Sequence, residues 1–166
     1  HRTDRNGEGR VRVTTLRFLD ARTRQPLDTV ISGHDIYAEV TYETRDPTCD
    51  HLKEFNIGLE FYDSVGRFVM LLNSQMADRA FDALPPRGCV YCHIPRFPLM
   101  SGTFHIKMTL RVQRMLADQV DGAASLSVET GDFFGTGLPN AFGRQGVYVP
   151  HKWGRSLNQT LRKVDE

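Results

Sequence analysis

The sequence predicts an all-β protein in which seven or eight antiparallel strands form a two-sheet sandwich or a barrel. Three observations indicate this fold class. Apolar and polar residues alternate with a period of two in segment after segment, which is the pattern of a strand with one buried face. Residues that favour turns separate these segments at short intervals. No long stretch carries the three-to-four-residue apolar spacing of an amphipathic helix.

The first predicted strand contains an irregularity. Val11 and Val13 begin the strand, and Leu16 and Phe18 continue it out of phase, so we expect a bulge or a change of face near Thr14–Thr15. Two further alternating segments follow in the first half of the chain, at 34–44 and 54–63, and a hairpin turn leads from the second into an apolar run at 67–73.

Three more strands are predicted in the second half, at 88–95, 103–113 and 124–130. Pro95 and Pro98 end the first of them, because proline cannot donate to a strand ladder. Residues 131–146 are rich in glycine and are predicted to form a loop, which leads to a last short strand at Val147 and Val149.

The chain is predicted to hold one domain over residues 9–153, since 166 residues suffice for a single core. Residues 1–8 are interpreted as a linker or remnant, and residues 154–166 as a C-terminal tail. Within this tail, helical spacing follows a cap at Ser156, with apolar residues at Leu157, Leu161 and Val164. The alternation also predicts the centre of the core: Val40, Ile57, Leu59, Phe61, Ile106, Met108 and Leu110.

Composition narrows the functional classes. The chain has 21 Lys and Arg against 20 Asp and Glu, a formal net charge of +1. This balance argues against a nucleic-acid binder, which needs a basic surplus to displace counterions from phosphates. Since no run of apolar residues approaches 18, no transmembrane helix is expected. The chain begins with a histidine, so we expect it to be a piece of a longer protein.

The motifs of several enzyme classes are absent from the sequence. It contains no Walker-type glycine-lysine motif, no Gly-x-Ser-x-Gly and no His-Glu-x-x-His. The glycine-rich segment Gly131–Gly137 is followed by no helical pattern, so we interpret it as a connection rather than a phosphate cradle.

The cysteines and neighbouring histidines supply enough soft ligands for a tetrahedral zinc site, at Cys49, His51, Cys89, Cys92 and His93. Cys89 and Cys92 are three apart in a predicted strand, so their side chains point to opposite faces. The second Cys-x-x-Cys of a zinc motif is also missing. We therefore expect no zinc and, with three cysteines, no disulfide: the thiols are predicted to be free.

Polar side chains on two predicted strands form a candidate ligand platform. His105, Lys107 and Arg111 share one face of the clearest strand. If the strand at 54–63 lies beside it, Asn56, Glu60 and Tyr62 share that face. The ordinary alternative is a solvated outer face, where charged residues belong. The functional interpretation is a sugar site, with Tyr62 against the C–H face, Asn56 and Glu60 bonded to hydroxyls, and Lys107 and Arg111 beside an acidic sugar or a phosphate substituent. The opposite sheet offers a competing site at Tyr37, Tyr91 and His93.

The order of several short motifs resembles a known family. In sequence they are Gly9-Arg10-Val11-Arg12-Val13 with Leu19-Asp20, Ser32-Gly33-His34-Asp35-Ile36, Asn56-Ile57-Gly58-Leu59, Asp63-Ser64-Val65-Gly66, Ile94-Pro95, Pro98-Leu99-Met100-Ser101-Gly102-Thr103-Phe104, Val128-Glu129, Asp132-Phe133-Phe134-Gly135-Thr136-Gly137, Gly146-Val147 and Trp153. From Gly9 to Trp153 the chain resembles the C-terminal carbohydrate-binding domain of the ATP-binding subunit of O-antigen polysaccharide ABC transporters, the Wzt type. The loop at 44–54 matches no part of this pattern.

This resemblance implies a fold and a function. The fold would be an immunoglobulin-like sandwich, with 11–20, 34–44 and 88–95 in one sheet and 54–63, 67–73, 103–113 and 124–130 in the other. The domain would bind the modified non-reducing end of a lipid-linked O-antigen polysaccharide and license its export, in the cytoplasm at the inner face of the inner membrane. It would pair as a homodimer, in some members by exchanging a C-terminal strand.

The implied partners are the ABC-transporter ATPase and transmembrane subunits, and the domain itself would not be an enzyme. ATP and Mg would belong to a separate ATPase domain, so no cofactor is expected here. Two alternatives from other classes stay open. One is a small metal-dependent β-sandwich enzyme at the cysteine and histidine positions. The other is a protein-interaction sandwich that pairs strand edges.

Overall fold

Nine strands and one helical turn form two packed sheets in the computed structural model, which describes residues 4–139 and 143–158. The three-stranded sheet has the order β2 (Val11–Asp20), β4 (Ile36–Thr44) and β7 (Arg87–Ile94), all antiparallel. The predicted two-sheet antiparallel sandwich is confirmed, and so is the grouping of these three segments in one sheet.

The six-stranded sheet has the order β1 (Arg5–Asn6), β9 (Met115–Glu129), β8 (Gly102–Val112), β5 (Phe55–Tyr62) and β6 (Phe68–Asn73). β3 (Thr29–Ile31) pairs in parallel with the far end of β9. The helical turn α1 (Ser74–Ala77) follows β6, and the side chain of Asn73 caps it. Within the described residues, no helix is long and apolar enough to cross a membrane.

Alternation in the sequence corresponds to burial in the structure. All seven predicted core residues are buried, none more than 8% exposed. The predicted irregularity in the first strand is also confirmed, as a register shift between Val13 and Thr15. At this bulge the two sheets are joined: Asp118 of β9 accepts from the backbone N–H of Val13 and from the guanidinium of Arg5.

The last strand of the six-stranded sheet is longer than predicted. The sequence placed it at 124–130, whereas β9 begins at Met115 directly after a two-residue turn. Gln113 and Arg114 adopt positive φ values of 50° and 66°, the backbone conformation of a tight hairpin turn. Because this pair is not one of the asparagine- or glycine-containing pairs typical of such turns, the sequence signal for it was missing.

Both chain ends differ from the expectation. β1 lies within residues 1–8 and pairs with β9, so the folded unit includes residues before Gly9. The last predicted strand is reduced to one bridge between Val147 and Leu99, in the same chain. Exchange of this segment with a second copy stays a prediction. Leu161 and Val164 of the predicted helix lie outside the described residues.

Candidate functional site

The structure brings the six predicted platform residues together on the outer face of the six-stranded sheet. Strands β5 and β8 pair directly, so Tyr62 lies opposite His105, Glu60 opposite Lys107, and Asn56 opposite Arg111. The inward residues between them belong to the core, and this leaves the outward side chains in two adjacent rows. We call these six residues the platform; their role in binding stays a prediction.

A cavity of about 430 Å³ lies at one end of the platform. This volume is within the range of about 300–1,000 Å³ that is typical of small-molecule sites. Three platform residues contribute to its wall, together with the β5–β6 turn and β9: Tyr62, Asp63, Ser64, Gly66, His105, Ile106, Lys107, Asp121 and Gly122.

Polar contacts fix the side chains around this cavity. Lys107 Nζ lies 3.6 Å from Asp121 Oδ1, and the Tyr62 hydroxyl donates to Glu60 Oε2 at 2.8 Å. That bond to a carboxylate raises the pKa of Tyr62, because it favours the protonated phenol. The cavity therefore presents one aromatic ring between charged and hydroxyl-bonding groups.

The β5–β6 turn forms a rigid rim of the cavity. Asp63 Oδ1 accepts from the backbone N–H of Arg67 at 2.8 Å and of Val65 at 3.0 Å, and Oδ2 accepts from Arg67 Nε at 2.9 Å. The backbone bond from Arg67 is the main cause that lowers the pKa of Asp63. Gly66 has a φ of +82°, a backbone conformation that residues with a side chain rarely adopt. The Asp63 carboxylate thus serves the turn rather than a ligand.

At the other end of the platform, Asn56 has a structural partner. Its Oδ1 accepts from Ser74 Oγ at 2.8 Å and from the backbone N–H of Gln75 at 3.0 Å. The side-chain oxygen that was predicted to meet a sugar hydroxyl therefore holds the first turn of α1. Arg111, opposite Asn56, is exposed.

The structure distributes the three residues of the competing site over two cavities that share His93. Tyr37 and His93 face each other across β4 and β7, with ring centroids 5.0 Å apart. Tyr91 instead bonds to Glu39, which raises its pKa, and Glu39 also accepts from Arg17. Tyr37 and His93 line a cavity of about 540 Å³ whose other walls are Asp20, Ala21, Arg22, His34 and Asp35.

A larger cavity, about 930 Å³, lies between the open edges of β6 and β7. Core residues such as Val40, Leu59 and Val90 form its floor, and Tyr91 and His93 reach its rim. An apolar floor suits an apolar group better than a hydroxyl-rich one. Sequence reasoning missed this cleft, because it arises where two sheet edges fail to meet and a loop after α1 bridges them.

The cysteines lie where the strand phase predicted. Cys89 is exposed and Cys92 half-buried, on opposite faces of β7. Burial raises the pKa of the Cys92 thiol. Across residues 4–139 and 143–158, no three His, Cys, Asp or Glu side chains are grouped as metal ligands would be.

A cluster of aromatic side chains at the C-terminal end was also not predicted. Phe133 and Tyr148 stack with ring centroids 4.8 Å apart, and the Arg96 guanidinium lies 4.3 Å from the Phe133 ring centroid. The cluster continues outward through Phe134 and His151 to Trp153. The glycine-rich segment thus acts as a connection that packs aromatic residues against the sandwich.

Comparison with known proteins agrees with this architecture. Residues 2–140 match the family model of the Wzt C-terminal domain. Among solved structures, the crystal structure of the C-terminal domain of wzt matches with a TM-score of 0.69. It covers 92% of this chain and 87% of that chain at 12% sequence identity, so this likeness supports the fold alone. No curated protein sequence matches the chain significantly.

Proposed function

Because the chain belongs to the Wzt C-terminal domain family, we propose that it is a non-catalytic glycan-binding module of an O-antigen polysaccharide ABC transporter. It recognises the modified non-reducing end of a lipid-linked O-antigen polysaccharide and couples that binding to export. The family context supports the class of ligand. The geometry of the platform supports the proposal that the ligand binds on this face of the sheet.

One observation carries the choice of the platform. Tyr62, His105 and Lys107 converge on a cavity of small-molecule size, on a sheet face that the core leaves outward. Sugar sites combine an aromatic ring with side chains that bond to hydroxyls, and this cavity supplies both. At the competing site, Tyr37 and His93 line one cavity, whereas Tyr91 reaches with His93 only the rim of a second cavity with an apolar floor.

Paired substitutions test the location. We expect Lys107→Ala to weaken glycan binding about 10–150-fold, the cost of losing a hydrogen bond to a charged group, with no change in melting temperature. Arg111→Ala tests the other end of the platform in the same way. Tyr91→Ala is the control and leaves binding intact. Binding is followed by chemical-shift perturbation with capped and uncapped oligosaccharides. The reverse pattern would move the site to the three-stranded sheet.

The proposal includes a homodimer that forms through the C-terminal region. Large apolar side chains are concentrated there at the surface, among them Val149 and Trp153, which is 85% exposed. A second copy would cover them. Deletion of residues 146–166 should give a monomer or an insoluble protein. A truncated protein that stays dimeric by light scattering would place the dimer surface elsewhere.

Within the transporter, we place the module in the cytoplasm at the inner face of the inner membrane, beside the ATPase and transmembrane subunits. ATP and Mg would act in the ATPase domain, and this module carries no catalytic step of its own. If a broad glycan array finds no ligand, a protein-interaction sandwich becomes the better account.

A further inference from the structure

The cavity at the Tyr62 end of the platform carries a carboxylate beside an ammonium group. Lys107 Nζ lies 3.6 Å from Asp121 Oδ1, and both side chains are accessible, with 32% and 57% of their surface exposed. Asp121 lies on β9, one strand beyond the pair that the sequence identified. It was therefore not among the predicted site residues.

The charges around this cavity do not favour an anion. Its wall contains one cation, Lys107, and two carboxylates, Asp63 and Asp121, a formal net charge of −1 with histidine counted as neutral. Two further charged groups form hydrogen bonds with residues of the wall: Arg67 donates to Asp63, and Glu60 accepts from Tyr62. Their opposite charges cancel in this balance. Even a protonated His105 would only bring the balance to zero.

The other cation of the platform lies away from this cavity. Arg111 is four residues beyond Lys107 on β8, about 13 Å along the strand, and is not among the residues of the wall. A phosphate in the cavity would therefore approach an ammonium group that already faces the carboxylate of Asp121. That carboxylate would also repel the phosphate.

The same groups suit hydroxyls well. A carboxylate has about four acceptor sites, so Asp121 can accept from two neighbouring sugar hydroxyls while it stays beside Lys107. An ammonium group has three donors, so Lys107 can also donate to a sugar oxygen. Tyr62, fixed by its bond to Glu60, offers a ring face against which sugar C–H groups pack.

Resting on the proposed function, we infer that this cavity selects an uncharged, hydroxyl-rich sugar end over one that bears a phosphate or a carboxylate. Asp121 is the residue that determines this selectivity. This replaces the expectation that Lys107 and Arg111 together meet an anionic cap: Lys107 acts here as a hydroxyl-binding donor.

The test begins with a glycan array of matched saccharides whose non-reducing end carries either an uncharged substituent, such as an acetyl group, or a phosphate or uronate. The inference requires the uncharged member of a pair to bind more tightly. If the array returns only anionic ligands, the inference is wrong while the proposed function stands. If it returns no ligand, the proposed function is wrong and the inference with it.

The second step assigns the effect to Asp121. The best uncharged ligand is titrated into wild type, Asp121→Asn and Asp28→Asn, a matched change at an exposed carboxylate outside the cavity. We expect Asp121→Asn to weaken binding of the uncharged ligand about 10-fold or more. The ratio of this affinity to the affinity for the phosphorylated partner should also become smaller. Asp28→Asn should change neither. An unchanged preference in Asp121→Asn, at unchanged melting temperature, would overturn the assignment.

Discussion

Replacing Asp118 by alanine should remove a buried polar connection between the two sheets. The Asp118 side chain is 1% exposed. It accepts from Arg5 Nε at 2.7 Å and from the backbone N–H of Val13 at 2.8 Å, and Arg5 also donates to the carbonyl of Val13. One carboxylate thus holds β1, β2 and β9 together.

The expected cost follows from what each partner loses. The N–H of Val13 is buried at the bulge, and leaving it without an acceptor costs about 1–3 kcal/mol. The Arg5 side chain is 23% exposed, so its guanidinium can turn to water and the lost ion pair adds no more than about 1 kcal/mol. Asp118→Ala should therefore lower the free energy of unfolding by about 1–4 kcal/mol, a large part of a total of about 5–15 kcal/mol.

Urea unfolding followed by circular dichroism measures this change. Asp28→Ala, at an exposed carboxylate, is the control and should stay within about 0.5 kcal/mol of wild type. Arg5→Met should cost at least as much as Asp118→Ala, since it leaves a buried carboxylate without its cation. A loss below about 1 kcal/mol for Asp118→Ala would refute the reasoning, because it would mean that other groups already satisfy the N–H of Val13.

Three further predictions concern the core, the thiols and the turn beside the cavity. Ile106→Ala should cost about 2–5 kcal/mol in the same assay, because its side chain is fully buried between the sheets; a change below about 1 kcal/mol would contradict the strand phase. Iodoacetamide should alkylate Cys89 faster than Cys92, whose pKa is raised by burial; equal rates by mass spectrometry would contradict this. The pKa of Asp63 is lower in the folded state, so its carboxylate stabilises the fold above its unfolded pKa, and this contribution disappears as the pH falls through the folded value. Asp63→Asn should thus lower the melting temperature at pH 7, with a difference that shrinks below about pH 4, and a difference independent of pH would exclude this origin.

Most of the sandwich could be predicted from the sequence, because a half-buried strand imposes a period of two on its residues. The alternation around Ile57 and Ile106 identified both strands, their buried faces and hence the outward row that forms the platform. The bulge after Val13 was also visible, as a change of phase in the apolar residues.

Strand pairings and side-chain contacts between residues far apart in the sequence could not be predicted in this way. β1 and β3 are too short to show a period, and the turn at Gln113–Arg114 has none of the usual turn residues. Asp118 and Asp121 both lie in β9, yet one is buried against Arg5 and the other faces the platform.

By itself, then, the sequence determined the fold class, the strand phases, the core and the face on which polar residues gather. These are local properties, since each depends only on how neighbouring side chains alternate. The tertiary structure alone decided which polar residues share a cavity: it turned Asn56 towards α1 and set Asp121 beside Lys107. The physical reason is that hydrogen bonds and ion pairs depend on distances of a few ångströms between strands, and only the register and the bulges of the folded sheet set these distances.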